Sequence, residues 1–242
     1  MRRFALMSVA ASLAVGAVAS ASAADLPARL PAKAPAMMMP VYNWNGLYIG
    51  AQVGYQWGRN TEEEFVTATG TRLGTFNWNS DGIVGGGHIG YNWVVAPNWL
   101  IGVEGDIEAS GVSGSFRVAG GGTEFSQDWQ SSIRGRLGYF SGPALFYVTG
   151  GAAFSELKTR HINAAGASLP GDRFASTETG WTIGAGLEWM FAPSFTARVE
   201  YRYTDYGNYG TDVAPASFPT LSYDQDVHFH TVRVGVSYLF NR

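Results

Sequence analysis

Glu104, Asp106 and Glu108 stand at every second position, as do Arg134 and Arg136, and then Arg198, Glu200 and Arg202. With Glu188 and Arg233 they make five acids and five arginines. Residues two apart share one face of a strand, so this spacing predicts a ladder of ion pairs. Other chemistry-bearing groups assemble nothing. His228 and His230 share a face without a placed third ligand, which is a weak metal signal. His161 and Ser168 lie in one connection, yet no spacing gathers a nucleophile, a base and an orienting acid. Gly85-x-Gly87-x-x-Gly90 matches a dinucleotide fingerprint only formally, because a Trp and a Pro turn follow where a helix would have to begin. Met37, Met38 and Met39 could offer soft thioethers, but they sit in a proline-rich stretch that reads as a linker. Cysteine is absent, which removes disulfides and thiolate metal sites. No catalytic residue, metal or cofactor is predicted.

The elements that must position the charge ladder begin after an export signal. Arg2 and Arg3 precede an apolar run from Phe4 to Val18, and Ala21-Ser22-Ala23 has the form of a signal-peptidase site. The run carries Ser8 and Ser12 and falls short of the roughly 20 apolar residues of a membrane anchor. Residues 1–23 therefore read as a signal peptide and Ala24 as the mature start. Residues 24–43 hold Pro27, Pro31, Pro35 and Pro40, which favour an extended periplasmic tether. The barrel-forming part is predicted over 44–242. Sixteen basic against 19 acidic residues is too even a balance for a nucleic-acid partner.

From Trp44 onward apolar residues alternate with small or polar ones, the period of strands. Eight runs fall near 45–57, 81–93, 99–109, 128–139, 145–156, 179–191, 195–205 and 227–240, each about the 9–11 residues or slightly more that cross a bilayer as a tilted strand. Short connections with Pro97, Pro143 and Pro193 alternate with long polar ones at 58–80, 110–127, 157–178 and 206–226. This layout predicts an all-β, eight-stranded antiparallel up-and-down transmembrane barrel with short periplasmic turns and four long extracellular loops.

Splitting the strands by parity gives one face free of charge, with Leu47, Ile49, Val53, Ile101, Val103, Ile133, Val199 and Val234 among its members. Its aromatics gather at strand ends. Trp57, Trp93, Trp99, Trp129, Trp181, Trp189, Tyr238 and Phe240 are expected to form interfacial girdles. The other face carries the charge ladder between glycines, and an eight-stranded barrel leaves just enough room for side chains to fill its interior. A lipocalin-like carrier would need an apolar lumen instead.

The last strand, Val232 to Phe240, ends with Gly235, Tyr238 and Phe240 in a pattern that resembles the C-terminal insertion signal of outer-membrane barrels; Asn241 and Arg242 follow the terminal aromatic. Together with Ala24-Asp25-Leu26-Pro27 and Trp44-Asn45-Gly46-Leu47-Tyr48-Ile49-Gly50, the whole chain resembles the small outer-membrane proteins of alphaproteobacteria, the porin-family or outer-membrane immunogenic proteins of the OmpA-like superfamily. The resemblance implies location in the bacterial outer membrane, insertion by the barrel-assembly machinery, and diverse duties: envelope integrity, surface antigenicity and proposed pores. Two functions follow. One is a non-enzymatic structural and surface protein whose loops contact outer-membrane lipid, lipopolysaccharide or a host ligand. The alternative is a small diffusion pore.

Overall fold

The alternating pattern produces strands that pair in chain order. The structure, a computed structural model, describes residues 42–118, 120–211 and 215–240. It contains β1 (Gly46–Val66), β2 (Thr71–Ala96), β3 (Trp99–Val118), β4 (Gly121–Ser141), β5 (Ala144–Asn163), β6 (Arg173–Ala192), β7 (Phe195–Thr211) and β8 (Leu221–Leu239). Each strand is antiparallel to the next, and β1 pairs with β8 from Tyr48↔Leu239 to Val66↔Leu221, which closes the ring. Closure leaves no strand edge inside the bilayer, where an unpaired backbone group would find no water. The predicted signal peptide with Ala21, Ala23 and Ala24, nearly all of the predicted linker, and Asn241 and Arg242 lie outside the described residues.

At one rim the three prolines sit in tight turns. Each turn places one residue in the left-handed region, Asn98, Gly142 and Ser194 at φ 68, 56 and 71°. Gly142 adopts this without a Cβ clash, and Asn is the side chain that tolerates it best.

The strands run past the bounds read from periodicity, and much of the four connections expected as loops is strand. The outward face beyond the membrane meets water, so polarity appears on both faces and alternation fades. The backbone still needs partners, and the ladders continue: Thr61↔Asn77 joins β1 to β2, and Ser126↔Lys158 joins β4 to β5. Two seams open in these extensions. Pairing of β2 with β3 ends at Ser80↔Gly114, and that of β6 with β7 at Trp181↔Asp205. Above the bilayer the wall therefore divides into two leaves, one of β7, β8, β1 and β2, the other of β3, β4, β5 and β6.

Parity decides what fills the lumen. Inward side chains form an apolar layer near the turns (Trp44, Tyr48, Leu100, Leu145, Tyr147, Met190, Leu239). A second apolar layer lies towards the far end, with Trp78, Val84, Val112, Phe125, Leu157, Tyr206, Val227 and Phe229. The charged residues lie between them.

Candidate functional site

The charge layer is built from inward positions of β3, β4, β6, β7 and β8, and all ten predicted residues are buried there. Its ion pairs mostly cross the lumen rather than follow the ladder. Arg134 on β4 donates to Glu200 on β7 at 2.8 Å and to Asp106 on β3 at 3.1 Å. Arg198 donates to Glu104 at 2.6 Å across the barrel, and Arg202 reaches Asp106 at 3.2 Å and Glu108 at 3.1 Å. Arg233 donates to Glu108 at 3.1 Å. Glu188 directly opposes Arg198 in the β6/β7 ladder, yet its carboxylate accepts from Arg136 and from Thr196. Strand adjacency shows which charges are close; it does not show which partner a long guanidinium selects.

Neutral groups add further hydrogen bonds to the carboxylates. Tyr48 donates to Glu104 at 2.7 Å, Tyr147 to Glu200 at 2.9 Å, and Gln52 and Gln130 donate to Glu108 at 2.7 Å each. His88 Nε2 lies 2.8 Å from the Ser237 hydroxyl. The guanidinium of Arg136 lies 3.9 Å from the Tyr147 ring centre, a cation–π contact. Two glycines make room for these rings. A Cβ on Gly90 would come within 2.3 Å of the Tyr48 hydroxyl, and one on Gly186 within 2.5 Å of the Tyr147 ring. Buried ions are tolerable when partners are at hand; each of these ten ions has one of opposite charge, while Arg233 Nη2 and the Nε atoms of the five arginines make no hydrogen bond among the described residues.

A small polar cluster occupies the lumen of the protruding part, where the sequence pattern suggested only a loop. Glu62 accepts from Gln225 at 2.6 Å and from Thr123 at 3.4 Å, and the Thr123 hydroxyl lies 3.2 Å from His161 Nδ1. Burial pushes Glu62 up to about 7, against the lowering effect of these hydrogen bonds, and pushes His161 down to about 4. His161 stacks on Tyr223 with ring centres 4.6 Å apart. This side chain bonds Thr123 rather than Ser168, and Thr123 is only 2 % exposed.

On the outside, Trp57, Trp93, Trp99, Trp181, Trp189, Tyr238 and Phe240 are exposed and Trp129 is half-buried. They form two levels. Trp93, Trp99, Trp189, Tyr238 and Phe240 lie near the turns, with Trp99 against Tyr139 at 5.3 Å and Tyr238 against Phe240 at 4.9 Å. Trp57, Trp129 and Trp181 mark the other level, where Trp181 packs on Tyr203 and Trp57 on His230. Between the levels the outward face is apolar, including Ile89, Val103, Ile107, Ile133, Ile183 and Val234. Such a band has no favourable exposure to water; lipid is the solvent that suits it. His230 Nδ1 lies 2.6 Å from the Tyr201 hydroxyl, and no three-ligand metal cluster occurs among the described residues. Gly85, Gly87 and Gly90 fall within β2, far from any helix start. Gly235 faces the lumen beside Gln52, while Tyr238 and Phe240 face out, and the Phe240 amide donates to Leu47 at 2.8 Å.

Comparison with known proteins agrees with this geometry. Residues 10–240 match the family model described as outer membrane protein beta-barrel domain. The chain belongs to this family. Within it, the 31 kDa outer-membrane immunogenic protein of Brucella melitensis is 33 % identical, over 99 % of this chain and 100 % of that protein. A 22 kDa outer membrane protein of Rhizobium leguminosarum is 31 % identical over 85 % of this chain and 82 % of its own length. Among solved structures, OprG of Pseudomonas aeruginosa covers 82 % of this chain and 97 % of its own with a TM-score of 0.51 at 12 % identity, a likeness of fold. The protein is an outer-membrane β-barrel, and its compartment is the bacterial outer membrane.

Proposed function

We propose that the protein is a non-catalytic surface protein, in which a closed barrel anchors two protruding β-leaves at the cell exterior. The observation that carries this reading is the filled lumen. Two apolar layers bracket a charge layer in which each of the ten ions has a partner of opposite charge, so the interior serves as a plug and leaves the outside to act. The same filling weighs against a diffusion pore, which needs continuous water. The immunogenic designation of the Brucella relatives supports exposure of this surface. Outer-leaflet lipid and lipopolysaccharide, and host or environmental ligands, are the partners this architecture can reach, and the aromatic Tyr238 and Phe240 end of β8 is the segment offered to the assembly machinery.

The chain has no cysteine, so single cysteines report cleanly. A membrane-impermeant thiol reagent applied to intact cells should label Leu73→Cys on the extension, and should label Ser141→Cys at a turn only after the outer membrane is permeabilised. Labelling of both in intact cells, or of Ser141→Cys alone, would refute the orientation and with it the surface role.

A further inference from the structure

On the outer surface of the β3–β6 leaf, two arginines share one carboxylate and a third stands beside them. Arg117 Nη2 and Arg160 Nη1 lie 3.3 and 3.5 Å from Glu124, while Arg173 carries no ion pair among the described residues. Arg160 and Arg173 are direct cross-strand partners in the β5/β6 ladder. Like charges placed directly opposite destabilise a sheet unless something of opposite sign lies between or beside them. Lys158 stands two residues nearer the membrane, engaged by Asp128 at 2.5 Å and Glu156 at 3.1 Å. Lys158, Arg160, Arg173 and Glu124 line an open groove of about 710 Å³ together with Ser113, Ser115 and Ser126. The surplus contrasts with the lumen, where five acids meet five arginines, and with the other leaf, where Arg72 is matched by Glu63 at 2.7 Å.

The height of the groove identifies its occupant. Phe154 ends the apolar outward face of β5, and Lys158 and Arg160 stand four and six residues beyond it, roughly 13 and 20 Å along the tilted strand. That is the level just outside the hydrocarbon. In the outer leaflet it is filled by the anionic sugars and phosphates of the glycolipid headgroup. Guanidinium forks match phosphate geometry, and charge-assisted hydrogen bonds at the membrane surface are stronger than those to neutral groups.

We propose that Arg117, Arg160 and Arg173, with Lys158 below them, form a binding site for the phosphorylated headgroup of an outer-leaflet glycolipid. The inference rests on the reading of the leaves as surface elements and adds to it a ligand and the residues that hold it. Glu124 splays two of the guanidiniums, and the ligand phosphate supplies the counter-charge that the Arg160–Arg173 pair lacks. The site would orient the protein against its surrounding lipid through one leaf only.

The test uses the refolded full-length mature chain in phosphatidylcholine vesicles, titrated with purified lipopolysaccharide carrying core phosphates, with the same lipid after enzymatic dephosphorylation, and with heparin as a sulfated polysaccharide. Arg160→Ala/Arg173→Ala should weaken binding of the phosphorylated lipid by about tenfold or more. Arg72→Ala on the other leaf should leave binding unchanged, and dephosphorylation should abolish the difference between unmutated chain and double variant. Heat-modifiable gel mobility verifies that each variant is folded; if the double variant does not fold, Arg173→Gln alone answers the question, because it removes a charge without an ion pair. Equal binding by unmutated chain and variant would overturn the site. So would binding of heparin in preference to the lipid, which would assign the groove to an external polyanion. The thiol-labelling result stands apart from all of these, so failure of the site and failure of the surface orientation are distinguishable.

Discussion

Arg134 and Glu200 meet across the barrel, Nη1 to Oε1 at 2.8 Å, from strands β4 and β7 that do not touch in the sheet. The pair is fully buried, and the same guanidinium also holds Asp106 and Glu104. The lumen is thus tied from wall to wall and is not merely lined.

Removing that hub should be costly. Arg134→Ala takes one cation from Glu104 and Asp106, which keep Arg198 and Arg202, and leaves Glu200 with Arg233 alone at 3.7 Å; if water does not enter the gap, the expected loss is about 3–5 kcal/mol. Urea unfolding of the refolded variant in lipid, followed by Trp fluorescence, measures it. A loss below about 1 kcal/mol would mean that water already solvates these carboxylates, as it does exposed pairs.

The lipid face was legible from the sequence because lipid imposes one rule at every second residue. From Leu47 to Val236, the residues picked by parity point outward in the structure. The strand ends were not legible, since that rule stops at the girdle. Asn60 and Glu62 turn inward while Thr61 and Glu63 turn outward, all polar, and such a stretch reads as loop. On β4 a register shift between Gln127 and Gln130 also switches the inward parity, so Phe125 and Gln127 face the lumen above it and Gln130 and Ser132 below. The charge ladder was visible as a set of residues, but its connections were not: transluminal distance has no sequence signature. Trp44, Trp78 and Phe229, three of the rings in the two apolar layers, occupy positions where inward polarity was expected or no strand was drawn.

The position of the membrane boundary has a direct test. Val103 is 50 % exposed between the two aromatic levels, and Leu73 is 55 % exposed on the protruding part of β2. Val103→Arg places a cation in hydrocarbon at a cost of about 2–4 kcal/mol and should reduce folding yield in lipid vesicles, whereas Leu73→Arg meets water and should fold normally. Equal yields would show that the bilayer does not cover the band between the girdles.

The outer polar cluster should respond to pH in two opposed ways. Glu62, raised to about 7, is protonated in the fold over a range where the unfolded chain is ionised, so its contribution is present below about 4.5 and is lost as pH rises to about 7. His161, lowered to about 4, behaves conversely: its contribution is present above about 6.5 and is lost as pH falls towards 4. The two slopes offset each other between about 4.5 and 6.5. Glu62→Gln removes one of them, and the extension should then gain stability with rising pH over that range, by an amount on the order of 3 kcal/mol. Hydrogen exchange of the β1 and β4 amides near Glu62 and Thr123, followed against pH, reads the change. An unaltered profile in Glu62→Gln would mean that the carboxylate is solvated.

The central claim is that the lumen is a plug. Single-channel recording of the refolded, unmutated protein in planar bilayers tests it most directly. The filled interior predicts a closed baseline with at most brief, irregular events; a steady conductance that scales with salt concentration would contradict it and make the barrel a pore.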